Sequence, residues 1–204
     1  MLGTRAYLGS PHQRRCDRPL WPRHNGGMYA QNILSASLVP TMPEDEPAQS
    51  VWEWGYDGVV VSESAAILVY LAKKSGCLIP GDRAGEAQVV RWCFAAMNSV
   101  EPPLLSLVVL DWTADGSCGM HREFLVGWAN RVLTNLEHWF ADRDFVATKG
   151  FTVADILMAH VLSGIKGTGL IAPFPGIASY RDRCLARPAW KRTIEAYYAR
   201  VEAG

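Results

Sequence analysis

The chain has 204 residues, 49% of them hydrophobic, which is enough to bury a core as one large domain or two small ones. Twenty Lys and Arg balance twenty Asp and Glu, and no basic nucleic-acid motif stands out, so nothing in the charge draws the chain to nucleic acid or an acidic membrane. Apolar runs break within about a dozen residues, short of the roughly 20 that span a bilayer, and the first residues form no apolar signal core; the expected setting is the cytoplasm, with neither membrane nor nucleic acid as partner.

Residues 1–56 are irregular. Arg5, Arg14, Arg15, Arg18 and Arg23 face a single acid, Asp17, before Asn25, and Glu44 to Asp57 is acidic without Lys or Arg. Arg5 to Gly9 suits a strand, but Trp21-Pro22 through Gly26-Gly27 stops any helix behind it. Ordinary divergence or an out-of-frame reading of an ancestral gene would leave such a stretch. Cys16, Cys77, Cys93, Cys118 and Cys184 show no C-x-x-C spacing and read as reduced thiols, Cys93 and Cys184 as small core residues within helical patterns.

Order begins at Asp57-Gly58, a turn dipeptide, followed by the β-branched strand Val59-Val60-Val61. A helix follows from Ser62 or Glu63, carries Ala66, Ile67, Val69, Tyr70 and Leu71, and ends at Gly76 after Lys73 and Lys74. Leu78 to Asp82 reads as a linker at a domain boundary. From Ala84, Val89, Val90, Trp92, Cys93, Phe94, Ala96 and Met97 recur at helical spacing until Glu101-Pro102-Pro103, where two missing donors predict a kink or interruption before Leu104 to Leu110. After a loop, Phe124, Leu125, Trp128, Val132, Leu136, Trp139 and Phe140 form a stripe of period near 3.6.

Gly150 to Leu157 is the most informative stretch. Thr152 is placed to cap a helix, Asp155 to reach back to the Thr152 N–H, and Phe151 and Ile156 to form a hydrophobic staple. The helix so started is too apolar for a surface element. On this reading Asp155 is a cap and not a catalytic acid, and His160 is a satisfied core histidine. Helices from about Pro175 to Ala186 and from Pro188 complete an all-helical bundle.

This capping box resembles that of glutathione transferases, and the resemblance runs from Asp57 to Val201. Asp57 through Ala72 looks like the family's last strand, turn and following helix; Tyr180 through Trp190 looks like the end of its helical domain. The resemblance implies an α/β thioredoxin-like N-terminal domain, 1–77, degenerate before Asp57, followed by an all-α helical-bundle domain, 84–204. It implies glutathione as co-substrate, a small hydrophobic electrophile as second substrate, a homodimer, and a detoxification role. Glu63 and Ser64 match the family's γ-glutamyl site: a hydroxyl and unpaired N–H groups at a helix N-terminus favour a carboxylate, and Glu63 would pair with the ligand's ammonium. The plain alternative is that Ser62 or Ser64 only caps the helix. Val39 and Pro40 stand for the family's cis-proline dipeptide, although Pro40 precedes Glu63 by about twice the family's separation, and an ordinary turn proline is the alternative. Ser10 is the candidate hydroxyl for activating the glutathione sulfur, with Tyr7 and Cys16 as alternates from other classes of the family; a loop serine is the alternative. The second-substrate pocket would draw on Met97, Leu104, Trp112 and Tyr198. Two functions follow: a transferase that adds the glutathione thiolate to an electrophile, or a non-catalytic binding or assembly module that has lost the sulfur-activating loop.

Overall fold

Three β-branched valines favour a pleated backbone, and Val59–Val61 forms strand β2, paired antiparallel with β1, Trp54–Tyr56, in the register Trp54 opposite Val61. The computed structural model describes residues 54–56, 59–61, 63–113, 119–165 and 167–201. β2 matches its sequence reading, whereas β1 carries no alternating pattern to mark it. Residues 1–53 lie outside the described residues, so this hairpin and the helix after it are all that is described of the expected thioredoxin-like half.

Helix α1 spans Ser64–Ser75 and buries Ile67 and Ala72. Gly76 ends it in the left-handed conformation, φ 66°, with Lys73 and Lys74 in the last turn as the helix dipole favours. Helix α2, Arg83–Ala95, starts at Asp82, whose carboxylate accepts from the Gly85 N–H at 2.8 Å. Glycine is required at 85, because a Cβ there would lie 2.5 Å from Cβ of Pro80.

The prolines do not interrupt the chain's helical path. A π-helical segment, Ala96–Val100, widens the backbone immediately before them, the Glu101 N–H donates to the Ala96 carbonyl five residues back, and α3 continues as Glu101–Thr113. Widening absorbs the missing Pro102 and Pro103 donors within a helical path, where a kink or break was expected. The resulting Arg83–Leu110 helix is 28 residues long and, by length and composition only, apolar enough to cross a membrane, a property that a buried core helix shares. Its buried residues Val89, Trp92, Cys93, Val100, Leu104 and Leu107 belong to the bundle core.

Helix α4, Gly119–Trp139, packs against α3; α5 is Val153–Gly164, α6 Pro175–Leu185 and α7 Pro188–Val201. α5 lies inside, touching α1, α2, the π segment, α3 and α6. Its residues Val153, Ala154, Asp155, Leu157, Met158, Ala159, Val161 and Leu162 are all buried, which explains why its sequence shows no polar face. Ala72 of α1 joins the same core, with Leu68 and Val69 packed against it.

Cys93 and Cys184 are free and buried, as expected, and burial pushes each thiol up to about 12. Cys77 departs from the expectation of reduced thiols: it is disulfide-bonded.

Candidate functional site

β2 delivers the chain to Glu63, which sits at the N-cap of α1 with φ 68° and ψ 129°. This is a left-handed conformation for a residue with a Cβ, costing about 1–3 kcal/mol, and such strain persists only where the surroundings fix it. The Glu63 carbonyl accepts the Ile67 N–H at 2.9 Å, while the side chain is exposed. Ser64, half-buried, is the first helical residue. The Glu63 side chain makes no capping hydrogen bond, and Ser62 lies outside the described residues. The positive end of the helix dipole lies at this turn, beside the Ser64 hydroxyl.

Ser10, Val39 and Pro40 lie outside the described residues, as do the alternates Tyr7 and Cys16. Of the four residues considered for a second-substrate pocket, Leu104 is only 1% exposed inside the core and Met97 packs against it. Tyr198 is 59% exposed and meets Tyr197 edge-on at 5.4 Å. The side chain of Trp112 is outside the described set. An open cleft of about 220 Å³ lies elsewhere, lined by Asp142, Arg143, Asp144, Ser179 and Arg183 among others. Its arginines pair with its own carboxylates, Arg143 with Asp142 and Arg183 with Asp144, which neutralises it as an ion site. Among the described residues, no group of His, Cys, Asp or Glu could hold a metal.

The capping box is present and larger than its local spacing suggests. Asp155, fully buried, accepts from the Thr152 N–H (2.8 Å) and Thr152 hydroxyl (3.1 Å), and also from the Val146 N–H (2.8 Å) and the Tyr180 hydroxyl (2.9 Å). Burial raises the Asp155 pKa, and its four hydrogen bonds oppose that rise. With every acceptor position engaged, Asp155 is structural. Phe151 lies edge-on to Phe145 at 5.8 Å and under the Arg187 guanidinium at 3.9 Å. His160 has its pKa lowered to about 4 by burial.

Sequence reasoning missed Glu137, whose carboxylate accepts from the Gly176 and Ile177 N–H groups at 2.8 and 2.9 Å and so caps α6 from α4. A Cβ at Gly176 would stand 3.0 Å from that carboxylate, so the glycine admits the cap.

Comparison with known proteins agrees with this architecture. The family model for the glutathione S-transferase C-terminal domain matches residues 126–188. A glutathione transferase structure from Burkholderia graminis is 30% identical with a TM-score of 0.63, over 69% of this chain and 63% of that one. The chain is thus similar to glutathione transferases, and its residues 126–188 match the glutathione S-transferase C-terminal domain. A glutathione transferase family member from Pseudomonas fluorescens pf-5 is similar at 27% identity and a TM-score of 0.63, over 67% of this chain and 64% of that one. Both of those proteins were crystallised with two glutathione molecules. An uncharacterised GST-like protein of Streptococcus mutans is 24% identical over 168 residues, 72% of this chain and 59% of that protein. The chain thus spans about three fifths of the length of these glutathione S-transferase relatives. The matched residues fall within α4 to α7, and the Glu63-Ser64 turn lies at the start of α1, ahead of them in the chain.

Proposed function

We propose that this glutathione S-transferase relative binds glutathione by its γ-glutamyl end at the N-terminus of α1 and adds the thiolate to a small hydrophobic electrophile. The observation that carries the reading is the strained Glu63-Ser64 turn at the N-terminus of α1, where the Glu63 side chain makes no cap of its own. A carboxylate placed there gains unpaired N–H groups, the Ser64 hydroxyl and the dipole, and the exposed Glu63 side chain pairs with the neighbouring ammonium. The glutathione in the structures of the Burkholderia and Pseudomonas relatives supports the ligand. In this scheme residues 1–77 form the glutathione-binding domain and 84–204 the helical one. Val39-Pro40 pairs with the cysteinyl backbone, and Ser10, or failing it Tyr7 or Cys16, stabilises the sulfur anion, since thiolate and not thiol is the nucleophile. The role is cytoplasmic detoxification by a homodimer, and the exposed Phe94 of α2 offers apolar surface for the second subunit.

A second reading is a non-catalytic module that keeps the bundle for binding or assembly. It is favoured by one observation, that the family-model match lies wholly within the helical half. The two separate in one assay, conjugation of glutathione to a chromogenic aryl halide. The transferase reading expects a rate above background that falls on Ser64→Ala and falls further on removing the sulfur activator. A folded protein that gives the background rate leaves the module.

A further inference from the structure

The linker is more than a spacer between α1 and the bundle. The Val153 N–H, first of α5 and without a partner inside its own helix, donates to the Leu78 carbonyl at 3.0 Å. Leu78 adopts φ 61°, a left-handed backbone for a residue with a branched side chain, and that side chain packs against the core. The segment is tied locally as well: the Cys77 N–H donates to the Ala72 carbonyl at 3.2 Å, and Gly76 turns the chain. A strained residue held by one long-range hydrogen bond to a buried helix end is a fixed attachment. α1 is therefore strung between two left-handed non-glycine residues, Glu63 at one end and Leu78 just beyond the other.

We propose that the Val153 to Leu78 hydrogen bond is a latch through which α5 holds the far end of α1, so that α1, with the Glu63 turn at its other end, opens together with the bundle and not ahead of it. This goes beyond the glutathione reading and does not depend on it. Proline at 153 removes the donor and alters the buried side chain less than alanine does. Position 153 is the first of the helix, where proline is tolerated, and Thr152 before it is extended at φ −132° and ψ 177°, as a residue preceding proline requires. Val153→Ala keeps the N–H and deletes more of the buried side chain, so it controls for packing.

Native-state hydrogen exchange on the full chain without ligand reads the outcome. In Val153→Pro, amides of α1 such as Leu71 and Ala72 should exchange about tenfold faster relative to the α5 amides of Met158 to Val161, the effect of one lost bond with its buried acceptor unpaired. In Val153→Ala the two sets should move together. Equal α1-to-α5 ratios in the two variants would overturn the latch. Should the proline variant not fold, the native Val153 amide decides: protection beyond tenfold over an unstructured amide supports the latch, and less than tenfold refutes it.

Discussion

Removing the carboxylate of Asp155 takes the acceptor from four hydrogen bonds at one buried point. Asp155→Ala deprives two backbone N–H groups, Val146 and Thr152, and two hydroxyls, Thr152 and Tyr180, of their acceptor at a site with no solvent exposure. The hydroxyls can rotate toward other acceptors, whereas the two amides cannot, and each buried amide left unpaired costs about 1–3 kcal/mol. Loss of the cap itself falls within the same figure, so the total expected is about 3–5 kcal/mol, against a whole-domain stability of about 5–15 kcal/mol. Tyr180→Phe leaves Asp155 three donors and deletes one neutral partner, so it should cost only about 1 kcal/mol. Urea unfolding followed by circular dichroism at pH 7 gives both values, with unchanged slopes showing that the unfolded state is not what moved. An Asp155→Ala loss below about 1 kcal/mol, or a Tyr180→Phe loss equal to it, would refute the reading of Asp155 as the junction of α5, α6 and the preceding loop.

Two further outcomes follow from the buried polar groups. His160 is neutral in the fold with a pKa lowered to about 4, while the unfolded chain takes up its proton near 6.5. The unfolded state therefore binds more protons between those values, so stability falls as pH drops, by about 2 kcal/mol from pH 7 to 5. His160→Gln should flatten that slope in thermal melts, and the raised Asp155, which acts with the opposite sign, is common to both proteins and cancels in the comparison. Glu137→Ala removes the cap on α6 and should cost about 1–3 kcal/mol, with faster amide exchange at Gly176 and Ile177 than elsewhere in α6 as its specific signature.

What the sequence made legible was local. The Thr152 and Asp155 pairing spans three residues, and Val59–Val61 and the Gly76 helix end are each written in adjacent side chains, so short-range patterns found them. The partners that complete the Asp155 cluster stand 9 and 25 residues away, and the Glu137 cap reaches 39 and 40 residues, distances over which no periodicity connects a donor to its acceptor. The π segment was hidden for a related reason. Prolines signal a lost hydrogen bond, but whether the helix breaks or widens depends on what packs around it. At the candidate site, the motif placed Glu63 and Ser64 at the start of α1, yet the positive φ of Glu63 has no mark in composition, since the residue type that normally permits it is glycine.

Calorimetric titration of reduced glutathione into the native protein and its Ser64→Ala variant addresses the anion-binding turn most directly. Saturable binding by the native chain, weakened about tenfold or more when the hydroxyl is removed from a helix that remains folded, is the expected result. No heat of association in a natively compact sample, or equal affinity in the two proteins, would contradict the assignment of Glu63-Ser64 as the seat of the γ-glutamyl group.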